Sequence, residues 1–359
     1  MPRKGTVVRE LTYAQAVHEA LELALAADPA VYVMGLGVPD PGGVFGTTRG
    51  LSEIYGENRV MDMPIAENGM TGIALGSALA GMRPVLTHQR VDFMLLSLDQ
   101  LVNQAAKWHY MFDGRMKAPL VVRGIIGRGW GQGPQHSQSL HSWFAHVPGL
   151  KTIMPFTPAD AKGMLLSAIE DDNPVVMLEH RWLLGMKGPV EEGMYRTRIG
   201  QARIARSGKD VTIVAVSHMV YEALRAASVL ESMGVSAEVV DVRTLRPLDG
   251  DTILASVRRT GRLVVADPDW GFCGFSAELL ALAAERAFPF LQAPPRRVTW
   301  PEHPQPTSPA LSVDFYPGPG HIAEAVLDSL GREAPCDLRA RFDSGVPHDV
   351  PDLSFSGPF

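Results

Sequence analysis

One glutamate, Glu67, lies in a sequence setting that suits acid–base chemistry. It follows the short apolar segment Pro64–Ala66 and directly precedes a stretch rich in glycine and alanine. Such a carboxyl can be an ordinary acid at the start of a helix, where the helix dipole stabilises it. It can also be a desolvated carboxyl that exchanges a proton with a ligand nitrogen. Considered alone, the position favours the first interpretation, so the second depends on the rest of the chain.

Two histidines are further candidates for proton transfer. His136 ends a loop with glycines at the alternate positions 127, 129, 131 and 133, a spacing that fits neither a helix nor a strand. With Gln135 beside it, this histidine is placed for acid–base work or for a hydrogen bond to a carboxylate. In isolation, a satisfied surface histidine is the simpler interpretation. His88 ends a buried strand, where α/β sheets present ligand-facing side chains.

Residue spacing argues against several other kinds of site. The glycine-rich loop lacks the lysine of a P-loop, and no G-x-S-x-G sequence marks a serine hydrolase. The cysteines, Cys273 and Cys336, form no zinc or disulfide pattern, which favours a reducing compartment. Five further histidines share no metal-ligand spacing and are interpreted as packing or surface residues: His109, His141, His146, His180 and His218.

Length and charge limit the class of protein. A chain of 359 residues exceeds what one core usually organises, so two domains are expected. The net charge is −6 and basic residues form no block, so neither nucleic acid nor an anionic membrane is an expected partner. No long apolar segment and no apolar signal region follow the N-terminal charges. We therefore expect a cytoplasmic protein.

The elements that must position these residues alternate between helix and strand. A capping-box pattern at Thr12 and Gln15 starts the first helix, and short apolar runs such as Val31–Met34 are typical of strands buried on both faces. Helices are expected over Met70–Leu79 and from Ser97 toward Met111. The pattern predicts an α/β fold with two doubly wound domains and mainly parallel sheets. The expected boundaries are 1–185 for the first domain, 186–209 for a linker, 210–335 for the second domain and 336–359 for an extended tail.

In their order along the chain, the motifs resemble those of the β subunit of the first, decarboxylating component of 2-oxo acid dehydrogenase complexes. This family is related to the C-terminal two-thirds of transketolase, and the resemblance covers about residues 10 to 330. Its most specific parts are Gly56–Val85 around Glu67, the run Gln135–Gln138, and Asp241–Asp249. The resemblance implies a pyrimidine-binding domain for thiamine diphosphate, followed by a transketolase C-terminal-like domain.

The resemblance also gives the candidate residues roles in thiamine diphosphate chemistry. Glu67 would hydrogen-bond the aminopyrimidine ring nitrogen and so promote loss of the thiazolium proton. Phe93 matches the aromatic residue beside the pyrimidine ring, and Gln89 would lie with it in the cofactor site. His136 matches a histidine that binds the carboxylate of the 2-oxo acid or moves protons during acyl transfer. The substrate pocket would be lined by His88, Gln135 and His136.

A partner subunit and metal ions are implied as well. This superfamily holds the diphosphate and Mg²⁺ with a Gly-Asp-Gly sequence and a later asparagine, but the chain has no Gly-Asp-Gly and no asparagine after Asn173. An α subunit would supply that half of the site, in an assembly of two α and two β chains. A lipoyl-bearing acyltransferase would accept the acyl group. Backbone carbonyls lie where family members can hold potassium, at Leu120, Ala168, Ile169, Asp171 and Asn173.

Departures from the family pattern leave the substrate open. Leu36 and Gly37 replace carboxylates that are thought to help paired sites communicate, and the segment Thr87–Asp92 is more polar than in pyruvate-type members. The expected activity is decarboxylation of a 2-oxo acid and transfer of the acyl group to a lipoyl partner. One alternative is a split transketolase-like or acyloin-forming enzyme that transfers a two-carbon unit to an aldehyde or sugar. Another is a non-catalytic partner that stabilises an α subunit.

Overall fold

The computed structural model of the protein describes residues 7–129, 131–342 and 345, and these residues form two compact units. The first unit contains residues 7–126 and 143–199, and the second contains the described residues of 127–142 and 200–345. Trp130 and most of the predicted tail over 336–359 lie outside the described residues.

The first unit is built on a parallel sheet. Its strands are β1 (Val8–Thr12), β2 (Val31–Met34), β3 (Val60–Met61), β4 (Arg83–His88), β5 (Val121–Ile126), β6 (Lys151–Ile153), β7 (Val175–His180) and β8 (Lys187–Glu191). The parallel strands lie in the order β6-β7-β5-β4-β2-β3, and β1 pairs with β8 in a separate antiparallel ribbon. Every residue of β2, β5 and β7 is buried, as expected for strands that have helices on both faces.

Helices connect these strands. They are α1 (Tyr13–Ala27), α2 (Leu51–Tyr55), α3 (Glu67–Leu79), α4 (Val91–Met94), α5 (Ala106–Met111), α6 (His141–His146), whose first two residues belong to the second unit, and α7 (Pro158–Glu170). The predicted capping box at the start of α1 is confirmed, because Thr12 and Gln15 exchange hydrogen bonds. The single helix expected from Ser97 is instead a 3₁₀ turn at Leu95–Ser97, a π-helical segment at Asp99–Ala105, and then α5.

The second unit repeats the alternation. Its strands are β9 (Arg203–Arg206), β10 (Val211–Ala215), β11 (Ala237–Asp241), β12 (Thr244–Arg246), β13 (Leu263–Trp270) and β14 (Arg296–Trp300). Its helices are α8 (His218–Ser232), α9 (Gly250–Thr260), α10 (Phe275–Ala287), α11 (Pro309–Ser312) and α12 (Pro319–Ser329). The sheet has the order β14-β13-β10-β11-β9, with only β9 antiparallel to its neighbour. The predicted α/β class with mainly parallel sheets is thus confirmed for both units.

Three further features concern the sequence-based expectations. Strands β8 and β9 lie within residues 186–209, the segment interpreted as a linker. Cys273 and Cys336 are both free and exposed. Among the described residues, none of the helices combines the length and apolar character needed to span a membrane.

Candidate active site

Glu67 is the first residue of α3, and its side chain is almost completely buried. The turn that leads into the helix contrasts with it, because Ile65 is 78% exposed. Among the described residues, the structure gives the Glu67 carboxylate no ion-pair partner. A buried carboxyl without a cation beside it is available to hydrogen-bond a ligand.

A small buried network fixes the first turn of α3. The Thr71 hydroxyl donates to the backbone carbonyl of Glu67 at 2.7 Å, and the Ser97 hydroxyl lies 3.3 Å from the same oxygen. The two hydroxyls are 2.7 Å apart, and His88 Nε2 lies 3.5 Å from Ser97 Oγ. Thr71 and Ser97 are fully buried and His88 nearly so. The network therefore ties Glu67 to the carboxyl end of β4.

His88 ends β4 as predicted, and its surroundings determine its charge. Burial lowers the pKa of His88 to about 4, so the ring is neutral at physiological pH. A neutral imidazole can share a hydrogen bond with Ser97, but it cannot serve as a cationic clamp for a substrate carboxylate. His88 thus lies in the buried network that holds the first turn of α3. The predicted place of His88 in the substrate pocket stays a prediction.

Gln89 and Phe93 follow on the same connection after β4. The Gln89 side chain is exposed, and its Nε2 donates to the carbonyl of Leu36 at 3.1 Å. Gly37 has a φ of 73°, and a Cβ there would stand 3.1 Å from Gln89 Nε2, so this position favours glycine. Phe93 in α4 is 39% exposed. An exposed aromatic ring close in sequence to the Glu67 network suits a flat ligand.

Gln135 and His136 lie in the second unit. Their loop is closed by a hydrogen bond from Gly127 N to Gln138 O at 3.1 Å, and His136 N donates to Gly133 O at 3.4 Å. Gly133 has a φ of 68° and packs so closely on Thr307 that a Cβ would stand 2.4 Å from its hydroxyl. Gln135 is exposed and His136 half-buried, so both side chains remain accessible in this unit.

Four of the five carbonyls suggested for potassium, those of Leu120, Ala168, Ile169 and Asp171, already accept hydrogen bonds. The oxygen of Leu120 accepts from Val175 N, and that of Ala168 accepts from Asp171 N. Arg83 Nη1 donates to the carbonyl of Ile169 at 2.9 Å and to that of Asp171 at 3.2 Å. The Arg83 guanidinium therefore already binds two of the carbonyl oxygens that were suggested as potassium ligands.

Two buried arginines near these strand ends have shifted pKa values. Arg90 follows β4 and Arg181 follows β7, and both side chains are nearly fully buried. Burial lowers the pKa of Arg181 to about 10, and burial together with the charge of Arg181 lowers the pKa of Arg90 to about 10. The Arg181 guanidinium also lies 5.0 Å from the centre of the Phe45 ring. The polar segment Thr87–Asp92 signalled Arg90, but nothing in the sequence singled out Arg181.

Sequence reasoning also missed a buried cluster in the second unit. His141, interpreted as a packing or surface residue, pairs there with Asp267 at 2.8 Å. These residues are 126 positions apart, so no local spacing could reveal the contact.

Two family models match the chain. They are "Transketolase, pyrimidine binding domain" over residues 9–187 and "Transketolase, C-terminal domain" over residues 200–322. The β subunit of acetoin:2,6-dichlorophenolindophenol oxidoreductase from Cupriavidus necator is 43% identical, and the match covers 90% of this chain and 98% of that protein. The mitochondrial pyruvate dehydrogenase E1 component subunit beta-2 of Oryza sativa is 41% identical over 92% of this chain and 89% of that protein.

The chain belongs to the family of 2-oxo acid dehydrogenase first-component β subunits. The family depends on thiamine diphosphate, and its β subunits pair with α subunits in heterotetramers. A solved chain titled "Split gene transketolase, inactive beta4 tetramer" aligns with a TM-score of 0.73, covering 90% of this first-component β subunit and 99% of itself. At 21% identity, that likeness shows the shared fold.

Proposed function

We propose that this chain is the β half of a thiamine-diphosphate-dependent 2-oxo acid dehydrogenase. It takes part in decarboxylation of a 2-oxo acid and in transfer of the acyl group to a lipoyl-bearing acyltransferase. The observation that carries the proposal is the buried Glu67 carboxyl at the start of α3, in a chain of this family. Bound thiamine diphosphate would supply the carbanion chemistry that the side chains lack.

The residues of this chain fit that cofactor. Glu67 presents a carboxyl without a cationic partner among the described residues, so it is available to share a proton with a ring nitrogen. Phe93 offers a partly exposed ring face and Gln89 an exposed amide. Thr71 and Ser97 bind the backbone carbonyl of Glu67 and so hold the first turn of α3, from which the Glu67 side chain extends, in place. His136 would bind the substrate carboxylate or move a proton during acyl transfer.

A separate α subunit would complete the site. It would carry the diphosphate- and Mg²⁺-binding residues, because this chain has no Gly-Asp-Gly sequence. We therefore infer that the chain is active only in an assembly of two α and two β chains. Potassium binding stays a prediction from the family resemblance, and it requires the Arg83 guanidinium to share or leave the carbonyls of Ile169 and Asp171. A cytoplasmic location likewise stays a prediction.

Substitution of Glu67 tests the catalytic proposal. Glu67→Gln and Glu67→Ala should reduce turnover of the α–β assembly by several orders of magnitude, because each removes the carboxyl that would hydrogen-bond the aminopyrimidine ring nitrogen and so promote loss of the thiazolium proton. Hydrogen–deuterium exchange at the thiazolium carbon should slow in parallel. Glu57→Gln, at an exposed acid earlier in the chain, is the matched control and should leave both rates unchanged. If Glu67→Gln retained full turnover, the chain would instead be a non-catalytic partner of the α subunit.

Calorimetry tests the division of the site between subunits. Thiamine diphosphate and Mg²⁺ should bind tightly to the α–β assembly and not to this chain alone. Tight binding to the isolated chain would contradict the half-site proposal.

Acyloin chemistry is the second candidate, and the named relatives favour it. Two of the similar proteins are named for acetoin, an acyloin. An assay with 2,6-dichlorophenolindophenol as electron acceptor separates the candidates: reduction of the dye with 2-oxo acids but not with acetoin supports the dehydrogenase. The reverse preference supports the acyloin enzyme. Reductive acylation of a lipoyl domain by a 2-oxo acid would further support the dehydrogenase, whereas two-carbon transfer to an aldehyde or sugar would support a split transketolase-like enzyme.

A further inference from the structure

A buried charged cluster lies at the end of the loop that carries His136. His141 Nε2 is 2.8 Å from Asp267 Oδ1 and 3.9 Å from Asp269 Oδ2. His141 and Asp267 are completely buried, and Asp269 is 2% exposed. All three residues belong to the second unit. Removal of one partner from a buried pair of this kind is costly, because it leaves the other group buried without its partner.

Each aspartate is itself held in a fixed orientation. Asp267 Oδ2 accepts from Ser276 N in the first turn of α10 at 2.9 Å, where the helix dipole favours a negative charge. Asp269 Oδ1 accepts from Trp270 N, and its Oδ2 accepts from Ser142 Oγ, both at 2.9 Å. Asp267 and Asp269, near the end of β13, therefore bind His141 and Ser142, the two consecutive residues that follow the loop.

The backbone next to this contact is strained. Leu140 has a φ of 47° although it is a buried leucine. A residue with a Cβ is disfavoured in this region of φ and persists there only where its surroundings impose it. The contact between His141 and Asp267, at the next position along the chain, supplies such a constraint. The bond from Gly127 N to Gln138 O joins the two ends of the loop.

We propose that His141, Asp267 and Asp269 are positioning residues that fix the His136 loop and so control the substrate step assigned to His136. Burial lowers the pKa of His141, but the carboxylates of Asp267 and Asp269 outweigh burial and raise it. The assigned step rests on the proposed function, whereas the anchoring of the loop can be measured without it.

Asp267→Asn in the assembled enzyme tests the anchor. The substitution keeps the shape of the side chain and removes the charge that pairs with His141. The matched control is Glu238→Gln, which neutralises another buried acid of the second unit. Glu238 binds Arg259 and Ser256, and all three residues are far along the chain from the loop. If Asp267→Asn does not assemble, Asp269→Asn is the milder variant.

Two measurements decide the outcome. Amide hydrogen exchange over residues 131–140, followed by mass spectrometry, should accelerate at least tenfold in Asp267→Asn and stay unchanged in Glu238→Gln. The value of kcat/KM for the 2-oxo acid should fall about 10- to 100-fold, as expected when a reacting group is misplaced by about 1 Å. Exchange at the thiazolium carbon should be retained, because the Glu67 network is untouched.

Three results would overturn the proposal. They are unchanged amide exchange in Asp267→Asn, equal effects in Glu238→Gln, and faster amide exchange with unchanged kcat/KM. Failure of the proposed function has a different signature, since Glu67→Gln would then leave turnover intact while the amide-exchange comparison still reports on the anchor.

Discussion

His88 shows how burial decides what a candidate residue can do. A histidine at the carboxyl end of a parallel strand suggests ligand contact, but burial lowers its pKa to about 4. The folded protein therefore binds a proton at His88 far less readily than the unfolded chain, in which the pKa is about 6.5. A depressed pKa of this kind stabilises the fold above pH 6.5, and this contribution is lost as the pH falls toward 4.

His88→Phe should reduce the loss of stability in acid. A shift of one pKa unit corresponds to about 1.4 kcal/mol, so His88 accounts for about 2 kcal/mol of lost stability between pH 7 and pH 5. Thermal unfolding of the assembled protein at the two pH values measures this: the fall in Tm should be smaller by a few degrees in the variant. His109→Gln, at an exposed histidine, should keep the wild-type pH dependence. If Tm fell as much between pH 7 and pH 5 in His88→Phe as in the wild type, His88 would not be the group responsible for the loss of stability in acid.

Sequence reasoning finds site residues where the local pattern carries the signal. Glu67 is a candidate from its position between an apolar segment and a glycine-rich helix, and only the motif resemblance favours a catalytic role over an ordinary acid at a helix start. Ser97 and His141 are not identifiable in this way, because their functional contacts join residues that are distant in sequence. Arg181 carries no sequence signal for a different reason: a basic residue after a strand is unremarkable until its burial is known.

At the scale of the elements, apolar runs in the sequence predict the buried strands well, but they do not reveal the strands with polar sequences. Val31–Met34 is confirmed residue for residue, because a strand buried on both faces reads as an unbroken apolar run. Strands β8 and β9 have polar, mixed-charge sequences and lie at the edges of their sheets, so no such run marked them. The π-helical segment Asp99–Ala105 carries a helical pattern and cannot be told from an α-helix by its sequence.

The centre of the first sheet holds an ion pair that can be tested in isolation. Arg123 on β5 binds Glu179 on β7 through two hydrogen bonds, and both side chains are fully buried. Arg123→Met should destabilise the fold by about 3–5 kcal/mol, because Glu179 is then a buried carboxylate without its cation. The double variant Arg123→Met/Glu179→Leu should recover most of that loss, since it leaves no buried charge.

Thermal unfolding of the single and double variants measures the effect of this pair. Glu179→Leu alone should be at least as damaging as Arg123→Met, because it leaves a buried guanidinium unpaired. A double variant no more stable than the single ones would show that the ion pair is itself a net stabilising interaction.

At the scale of the whole molecule, one face of α3 has no partner among the described residues. A Cβ added at Gly69 or Gly76 would meet no atom within 4 Å, and Ile73 between them is 59% exposed. Leu96, on the 3₁₀ turn that packs against α3, is 61% exposed. Apolar surface of this kind marks a contact with another protein. Because Glu67 begins the same helix and the diphosphate motif is missing from the chain, we expect the α subunit to cover this face.

Ile73→Asp should therefore weaken the assembly while leaving the chain folded. A charge buried at a closely packed interface typically costs more than 1.4 kcal/mol, which corresponds to at least a tenfold rise in the Kd for the α subunit. Calorimetry and light scattering on mixed subunits measure the affinity and the mass of the assembly. Phe288→Asp, at a residue 70% exposed in the second unit, is the matched control and should leave the affinity unchanged. If Ile73→Asp dissociated only pairs of β chains and left α–β binding intact, a second copy of this chain would be the occupant of this face, and the α subunit would have to reach Glu67 from another side.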